Sequence, residues 1–171
     1  MRLAVLRGPH TLELTDAPIP EIEPDEVLVR VAACGVCTSE LDMWEGHADL
    51  NGQPIFPGHE VSGIVEAVGT EVETLSEGDP VAVWVTAGGF ADYVAAKAEH
   101  CLPAGDLPLD LALAEPVACA VNAVELSDPR LADDVVLIGA GFMGNLVQKL
   151  LQLRGPRELI VADTRLEWRG R

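Results

Sequence analysis

The stretch Pro57-Gly58-His59-Glu60-Val61-Ser62-Gly63-Ile64-Val65-Glu66-Ala67-Val68-Gly69 organises this sequence. An imidazole and a carboxylate follow a Pro-Gly break and precede an apolar run that predicts a strand. A side chain at the start of a strand, just after a turn, is fixed in place and still reachable, as a metal ligand must be. Because a single His-Glu pair also serves ordinary hydrogen bonding, other parts of the chain must supply the remaining ligands of any metal site.

Composition limits the classes of function. The 171 residues, 49% of them hydrophobic, suffice for one packed domain, or for one domain and part of another. The formal net charge of -17 repels phosphate backbones and anionic lipids, so we expect neither nucleic acid nor membrane as a partner. No apolar run reaches the roughly 20 residues that span a bilayer, and the N-terminal apolar part is too short for a signal peptide. We expect a cytoplasmic protein with reduced thiols.

The first two thirds of the chain have the pattern of short strands broken by Gly, Pro and Asp. Strands are predicted at residues 3–6, 12–14, 26–31, 61–68, 81–85 and 90–95, and a helix at 38–44. The first two strands form a hairpin about Gly8-Pro9, and Pro80 takes the first position of its strand, where a missing N–H is tolerated. Many short strands at such spacing favour a barrel-like β domain.

The pattern changes after about residue 109. Helical segments are predicted at 110–114 and 116–126, with Pro116 at the first position of the longer one. A strand at 134–138, a glycine turn at 139–144, a helix ending at Leu153 and a strand at 158–163 follow. This order, within about 30 residues, is one βαβ unit. We place the domain boundary at residue 130, giving domains 1–130 and 131–171.

The turn Gly139-Ala140-Gly141-Phe142-Met143-Gly144 is the candidate dinucleotide site. Its first glycine allows the tight turn, its second lets backbone approach a pyrophosphate, and its third lets helix and strand pack closely. Asp163, 24 residues after Gly139, is placed to bind a ribose 2′-hydroxyl and to repel a 2′-phosphate, which favours NAD over NADP. Arg165 keeps NADP open, and a glycine turn that serves packing alone is the alternative interpretation.

The sequence alone is compatible with several roles for the cysteines and for Glu115. Cys34 and Cys37 have the spacing of half a zinc ribbon, but Cys101 and Cys119 are isolated, so a four-thiolate site is not expected. One cysteine of the pair could ligate a metal together with His59, and a redox pair is the other option. Glu115, just before Pro116, suits either a helix N-terminus or a metal ligand.

Together these motifs resemble the zinc-dependent medium-chain dehydrogenase/reductase family of alcohol and polyol dehydrogenases. The matching segments are residues 33–40, 56–69, 77–83, 89–94, 114–119 and 139–144. The Glu-Pro form of the segment at Glu115 is most similar to the sorbitol and threonine dehydrogenase branches. The resemblance implies a mixed α+β fold, with a GroES-like β-barrel catalytic domain followed by the first βαβ unit of a Rossmann domain.

The resemblance also implies roles for individual residues. Cys37, His59 and Glu115 would be the ligands of one catalytic zinc, and Glu60 would be a neighbouring carboxylate that exchanges with water or Glu115. Ser39 would pass the substrate proton toward solvent. The zinc would lower the pKa of the alcohol, and a hydride would then move to the dinucleotide. The partner is thus a small alcohol or polyol, and we expect a homo-oligomer, as is usual in the family.

Three features depart from the family pattern. Only Thr86-Ala87 stand where the structural-zinc lobe would fall, so we expect no structural zinc, and Cys34 would not be a ligand. Pro80 replaces a usual basic residue. The chain also ends after the second strand of the first Rossmann half, with Thr164–Glu167 starting like a helix and 168–171 ending abruptly. We therefore interpret it as a truncated dehydrogenase that holds zinc, binds dinucleotide poorly and self-associates through an uncovered apolar sheet face.

Three alternatives to the zinc-dependent dehydrogenase stay open. A zinc-free quinone or enoyl reductase of the same superfamily would lack the ligand set, so the joint presence of Cys37, His59 and Glu115 disfavours it. A catalytically inactive binding or interaction module that retains the GroES-like fold is the second alternative, and repurposing for non-redox chemistry is the third. A measurement of metal content separates the zinc-dependent dehydrogenase from the zinc-free reductase.

Overall fold

The computed structural model describes residues 1–47 and 53–165, so the interpretation of the chain end at 166–171 lies outside the described residues. Backbone contacts divide the chain into two compact units, Met1–Glu115 and Pro116–Arg171. The helix Ala114–Ser127 therefore falls almost wholly within the second unit. The domain boundary at residue 130 rests on the sequence pattern, not on these contacts, and remains a prediction.

The first unit begins with the predicted hairpin. Strands β1 (Arg2–Gly8) and β2 (Thr11–Asp16) pair antiparallel, and the chain reverses at His10, which has a φ of 56°. Hydrogen bonds join Leu6 to Ile55 and Ala4 to Phe90. These hydrogen bonds connect the hairpin to two later segments of the first unit, at Ile55 and at Phe90.

A five-stranded antiparallel sheet forms the body of this unit, in the order β6-β3-β4-β5-β7. Its strands are β3 (Glu26–Gly35), β4 (Glu60–Val68), β5 (Pro80–Trp84), β6 (Tyr93–Lys97) and β7 (Cys101–Pro103), and helix α1 (Thr38–Glu45) joins β3 to β4. Pro80 opens β5, as predicted. Strand β6 starts three residues later than predicted, and the three-residue β7 was missed because it is too short to show an alternating pattern.

The sheet is rolled. Strands lie about 4.8 Å apart, so the two edges of a flat five-stranded sheet would be roughly 19 Å apart. Here the edge strands β6 and β7 are joined by residues 98–100 alone, and Cys101 Sγ lies 3.5 Å from the carbonyl oxygen of Lys97. Two irregularities in the pairing of β3 with β4 add twist. Within the described residues the pairing does not close, so the predicted barrel is a rolled, open sheet.

The interior of the roll is a core of β-branched side chains. Its fully buried members come from three adjacent strands: Val27, Val29, Val61, Val65, Val81 and Val83. Such residues fill a half-buried pleated surface well. A second, smaller cluster of Ala82, Ala104 and Ala112 packs Leu109 and Ala114, so that the segment leading to Glu115 is held on the sheet.

The second unit contains the predicted βαβ unit. Helix α2 (Ala114–Ser127) is followed by β8 (Asp134–Ile138), α3 (Phe142–Leu153) and β9 (Glu158–Ala162), and the two strands pair in parallel. Helix α2 starts two residues earlier than predicted, which puts Glu115 in its first turn. Pro116 is tolerated there because the first N–H groups of a helix have no intrahelical partner.

One face of the parallel pair is uncovered in the described part of the chain, as predicted. Val136 and Ile138 are 62% and 85% exposed, and Ile160 on the neighbouring strand is 48% exposed. Their neighbours Val135, Leu137, Leu159 and Val161 are more buried, since successive strand residues point to opposite faces. Among the described helices, none has the length and apolar character needed to cross a membrane.

Candidate metal centre

Cys37 is fixed by the start of α1. It is the N-cap residue of that helix, with extended backbone at φ -80° and ψ 155°. Its N–H donates to Glu40 Oε2 at 2.7 Å, so the helix's own third residue ties down the cap. Ser39 lies exposed in the same first turn. Local helix capping therefore sets where the thiol lies.

The same carboxylate orients His59. Glu40 is only 6% exposed, and its Oε1 accepts hydrogen bonds from the Gly58 N–H at 2.8 Å and from His59 Nδ1 at 2.9 Å. Because Nδ1 is engaged, Nε2 is the nitrogen left for a metal. Glu40 was not among the predicted site residues. Its position three residues after a helix cap was the signal that could have found it.

Three of the predicted ligands come together. One ligand atom each of Cys37, His59 and Glu60 lie within 4.8 Å of one another, although the residues stand on α1 and at the start of β4. Burial, and then the negative charge of Glu115, raises the pKa of the Glu60 carboxyl. Glu115 is therefore close enough to Glu60 for their charges to interact. Cys37, His59 and Glu60 thus form one group of donor atoms in the described part of the chain, and the predicted ligand Glu115 is not within 4.8 Å of all three.

This donor set fits zinc. Zinc takes sulfur at about 2.3 Å and nitrogen or oxygen at about 2.0–2.2 Å, which sets tetrahedral ligands roughly 3.3–3.8 Å apart. The 4.8 Å limit on the present separations is close to that range, so small side-chain rotations suffice. A cation would also relieve the repulsion between the two carboxylates. Gly35 leaves room for one of them, since a Cβ at that position would overlap Glu60 Oε2.

The predicted dinucleotide turn has the expected backbone. Gly139 has a φ of 105°, which favours glycine, and a Cβ at Gly144 would overlap the carbonyl oxygen of Gly139. A Cβ at Gly141 would meet nothing within 4 Å, so the space beside this residue is open to a ligand. Phe142 and Met143 are exposed at the start of α3.

Two side chains brace this turn. Asp163 Oδ2 accepts from the Ala140 N–H at 2.7 Å, and Asn145 Nδ2 donates to the carbonyl oxygens of Ala140 and Gly141, each at 2.9 Å. Asp163 thus lies at the glycine turn, as its spacing from Gly139 predicted. The bracing by Asn145 was missed, because it depends on how the first turn of α3 folds back on the loop.

Cys34, which is partly buried, and Cys101, which is buried, are expected to resist alkylation. Burial raises the pKa of Cys34 to about 12 and that of Cys101 to about 11, whereas Cys119 is exposed. A higher pKa means less thiolate, so at pH 8.5 roughly one Cys34 in a thousand or fewer is reactive. Mass spectrometry after iodoacetamide treatment should show Cys119 labelled first, with equal labelling in urea as the control. Rapid labelling of Cys34 in the folded chain would contradict its burial.

Residues 23–106 match the alcohol dehydrogenase GroES-like domain family. D-arabinitol dehydrogenase 1 from Uromyces fabae is 31% identical, over 90% of this chain and 52% of that protein. The chain thus spans about half the length of the curated relatives it matches.

Two solved structures share the architecture. Galactitol-1-phosphate dehydrogenase from Escherichia coli superposes with a TM-score of 0.84 at 27% identity, covering 98% of this chain and 57% of that one. A protein of Escherichia coli CFT073, described as a short chain alcohol dehydrogenase and solved with NADH, gives 0.86 at 26% identity, covering 98% and 58%. The predicted fold, a GroES-like domain followed by a βαβ unit, is therefore confirmed.

Proposed function

We propose that the protein, whose residues 23–106 match the alcohol dehydrogenase GroES-like domain, is a member of the medium-chain dehydrogenase/reductase family and a zinc-dependent oxidoreductase that transfers a hydride between an alcohol or polyol and NAD. The observation that carries the proposal is the convergence of Cys37, His59 and Glu60 donor atoms within 4.8 Å, with Glu115 acting on Glu60. Relatives named for arabinitol and galactitol-1-phosphate support a polyol as the substrate class.

In this proposal Cys37, His59 and Glu115 hold the zinc, and Glu60 is the carboxylate that exchanges with water or Glu115. When bound, zinc supplies a Lewis acid that lowers the pKa of an alcohol. Glu40 keeps the His59 ring oriented through Nδ1, so that the imidazole presents the other nitrogen. Ser39, exposed in the first turn of α1, moves the substrate proton toward solvent, and its neutral hydroxyl adds no second charge beside the metal.

The dinucleotide is assigned to the second unit. The turn from Gly139 to Gly144, with Phe142 and Met143, would lie against the pyrophosphate at the N-terminus of α3. Asp163 would accept a hydrogen bond from the ribose 2′-hydroxyl, and its negative charge would disfavour a 2′-phosphate. The NADH held by the Escherichia coli CFT073 relative supports a nicotinamide dinucleotide as the cofactor, and the preference for NAD rests on Asp163.

Metal analysis tests the proposal. After dialysis, the unaltered chain should retain about one zinc, the number expected for a catalytic site with three protein ligands. Cys37→Ser and His59→Ala should each lose most of it. Cys34→Ser is the matched control, because Cys34 lies in the same short segment, its thiol is partly buried and the proposal gives it no ligand role. Zinc retention by both ligand variants, or none in the unaltered chain, would contradict the proposal.

A further inference from the structure

Ser62 is the buried polar side chain that the proposed chemistry leaves unexplained. Its side chain is fully buried, and its Oγ lies 2.5 Å from the carbonyl oxygen of Leu109 and 3.5 Å from that of Ala33. A hydroxyl has one proton to donate, so the short contact to Leu109 is the principal hydrogen bond. Ser62 thus connects β4 to a segment 47 residues later in the chain.

The position of Ser62 on β4 explains its contact. Alternate strand residues share a face, so Ser62 lies on the same face as Glu60, opposite the face on which Val61 and Val65 enter the core. On that face Ser62 pairs across the sheet with Ala82, which packs with Ala112. The segment that contains Leu109 is therefore seated on the sheet by small apolar contacts and by the Ser62 hydroxyl.

This segment leads directly to Glu115. Ala112 is 4% exposed, and Glu115 follows it by three residues, in the first turn of α2. The charge of Glu115 reaches Glu60, which is two residues before Ser62 on β4. One strand therefore contributes a carboxylate at Glu60 and, through Ser62, holds the segment that brings the second carboxylate toward it.

We propose that Ser62 is a positioning residue of the metal centre, which holds Glu115 in place through its hydrogen bond to the Leu109 carbonyl. The inference rests on the proposed function, because it assumes that Glu115 is a ligand. Without the hydroxyl, the Leu109 carbonyl keeps the Ala112 N–H as a donor at 3.3 Å, within its own segment, but the hydrogen bond that ties the segment to β4 is lost. Glu60 and the other ligands keep their own supports, so the centre weakens without being lost.

A double-mutant cycle on zinc affinity tests this role. Competition with a chromophoric chelator should show zinc bound about tenfold more weakly by Ser62→Ala, as is typical when an outer-shell partner is removed. Glu115→Gln should weaken zinc binding as well, and the double variant should bind no more weakly than Glu115→Gln alone. Ser127→Ala is the matched control, because the Ser127 hydroxyl also donates to a backbone carbonyl but does so within its own helix, to Val124.

The outcomes separate the two proposals. Additive losses, or unchanged affinity in folded Ser62→Ala, overturn the role of Ser62 while leaving the zinc site standing. Absence of zinc binding in the unaltered chain overturns both. If the alanine variant lacks the circular dichroism of the folded chain, Ser62→Thr replaces it and amide exchange of residues 109–115 is measured. Zinc-dependent protection retained with the threonine hydroxyl supports the inference, and its loss in a folded threonine variant overturns it.

Discussion

Replacing Glu40 by alanine is expected to weaken zinc binding by about 10- to 100-fold, the range for outer-shell partners of a ligating histidine. It should also destabilise the first unit by about 3 kcal/mol, because the buried N–H groups of Cys37 and Gly58 lose their acceptor. His59 would keep its place in the chain but lose the bond that fixes its ring. Zinc competition and urea unfolding of the zinc-free chain measure the two effects separately.

Two further variants show that the effect belongs to this carboxylate. Glu40→Gln keeps an acceptor oxygen but turns an NH2 group toward one of the donors, so we expect a loss between those of alanine and the unaltered chain. Glu66→Ala removes an exposed glutamate that pairs with Arg30 and should change zinc affinity little. Equal zinc affinity in Glu40→Ala and Glu66→Ala would show that Glu40 does not orient the site.

Gly58→Ala is expected to prevent folding of the first unit or to destabilise it by more than about 4 kcal/mol. Gly58 has a φ of 101°, and a Cβ there would overlap the backbone nitrogen of Phe90 and approach Gly89. Its neighbour His59 would shift with it, so the zinc site should be lost as well. Circular dichroism and urea unfolding of the zinc-free protein measure the stability, and metal analysis measures the site.

A variant at a second glycine separates the free-energy cost of the left-handed backbone from the cost of the steric overlap. Gly78 has a similar φ of 92°, but a Cβ there would meet nothing within 4 Å. Gly78→Ala should therefore show the cost of the left-handed backbone alone, about 1–2 kcal/mol. A Gly58→Ala chain as stable as the Gly78→Ala chain would mean that the close approach of Phe90 to Gly58 is relieved by a small movement.

The sequence predicted the parts of the fold that local patterns determine. The strand at 26–35, the glycine turn and the strands flanking it have clear apolar periodicity or a required backbone conformation, and each was found within a few residues. Strand β7 and the rolled, unclosed sheet were not predicted, because they depend on pairing between distant residues. The start of α2 was misplaced since proline is compatible with several positions in the first turn.

The residues of the candidate site were likewise predicted only in part. His59 stood out as a residue type that suits a metal, the family resemblance selected Cys37 and Glu60, and the structure brings the three together. Glu40 and Ser62, which we propose support these ligands, were not predicted. Their roles depend on hydrogen bonds to distant residues: Glu40 accepts from the Gly58 N–H, and Ser62 donates to the Leu109 carbonyl. A ligand has a chemical signature in the sequence, whereas a residue that orients a ligand is defined by its neighbours in space.

The placement of the ligands on two unlike elements bears on how a bound cation would be released. Glu60 begins the central strand β4 and is paired on both sides, with Gly35 of β3 and Trp84 of β5, so moving its backbone requires both pairings to separate. Cys37 is held at the tip of an eight-residue helix. Local unwinding at a helix end costs far less free energy than disrupting a central strand. The residence time of the ion would accordingly depend on fraying at Cys37. The imidazole of His59 and the carboxylate of Glu60 would keep their positions and could bind the ion again.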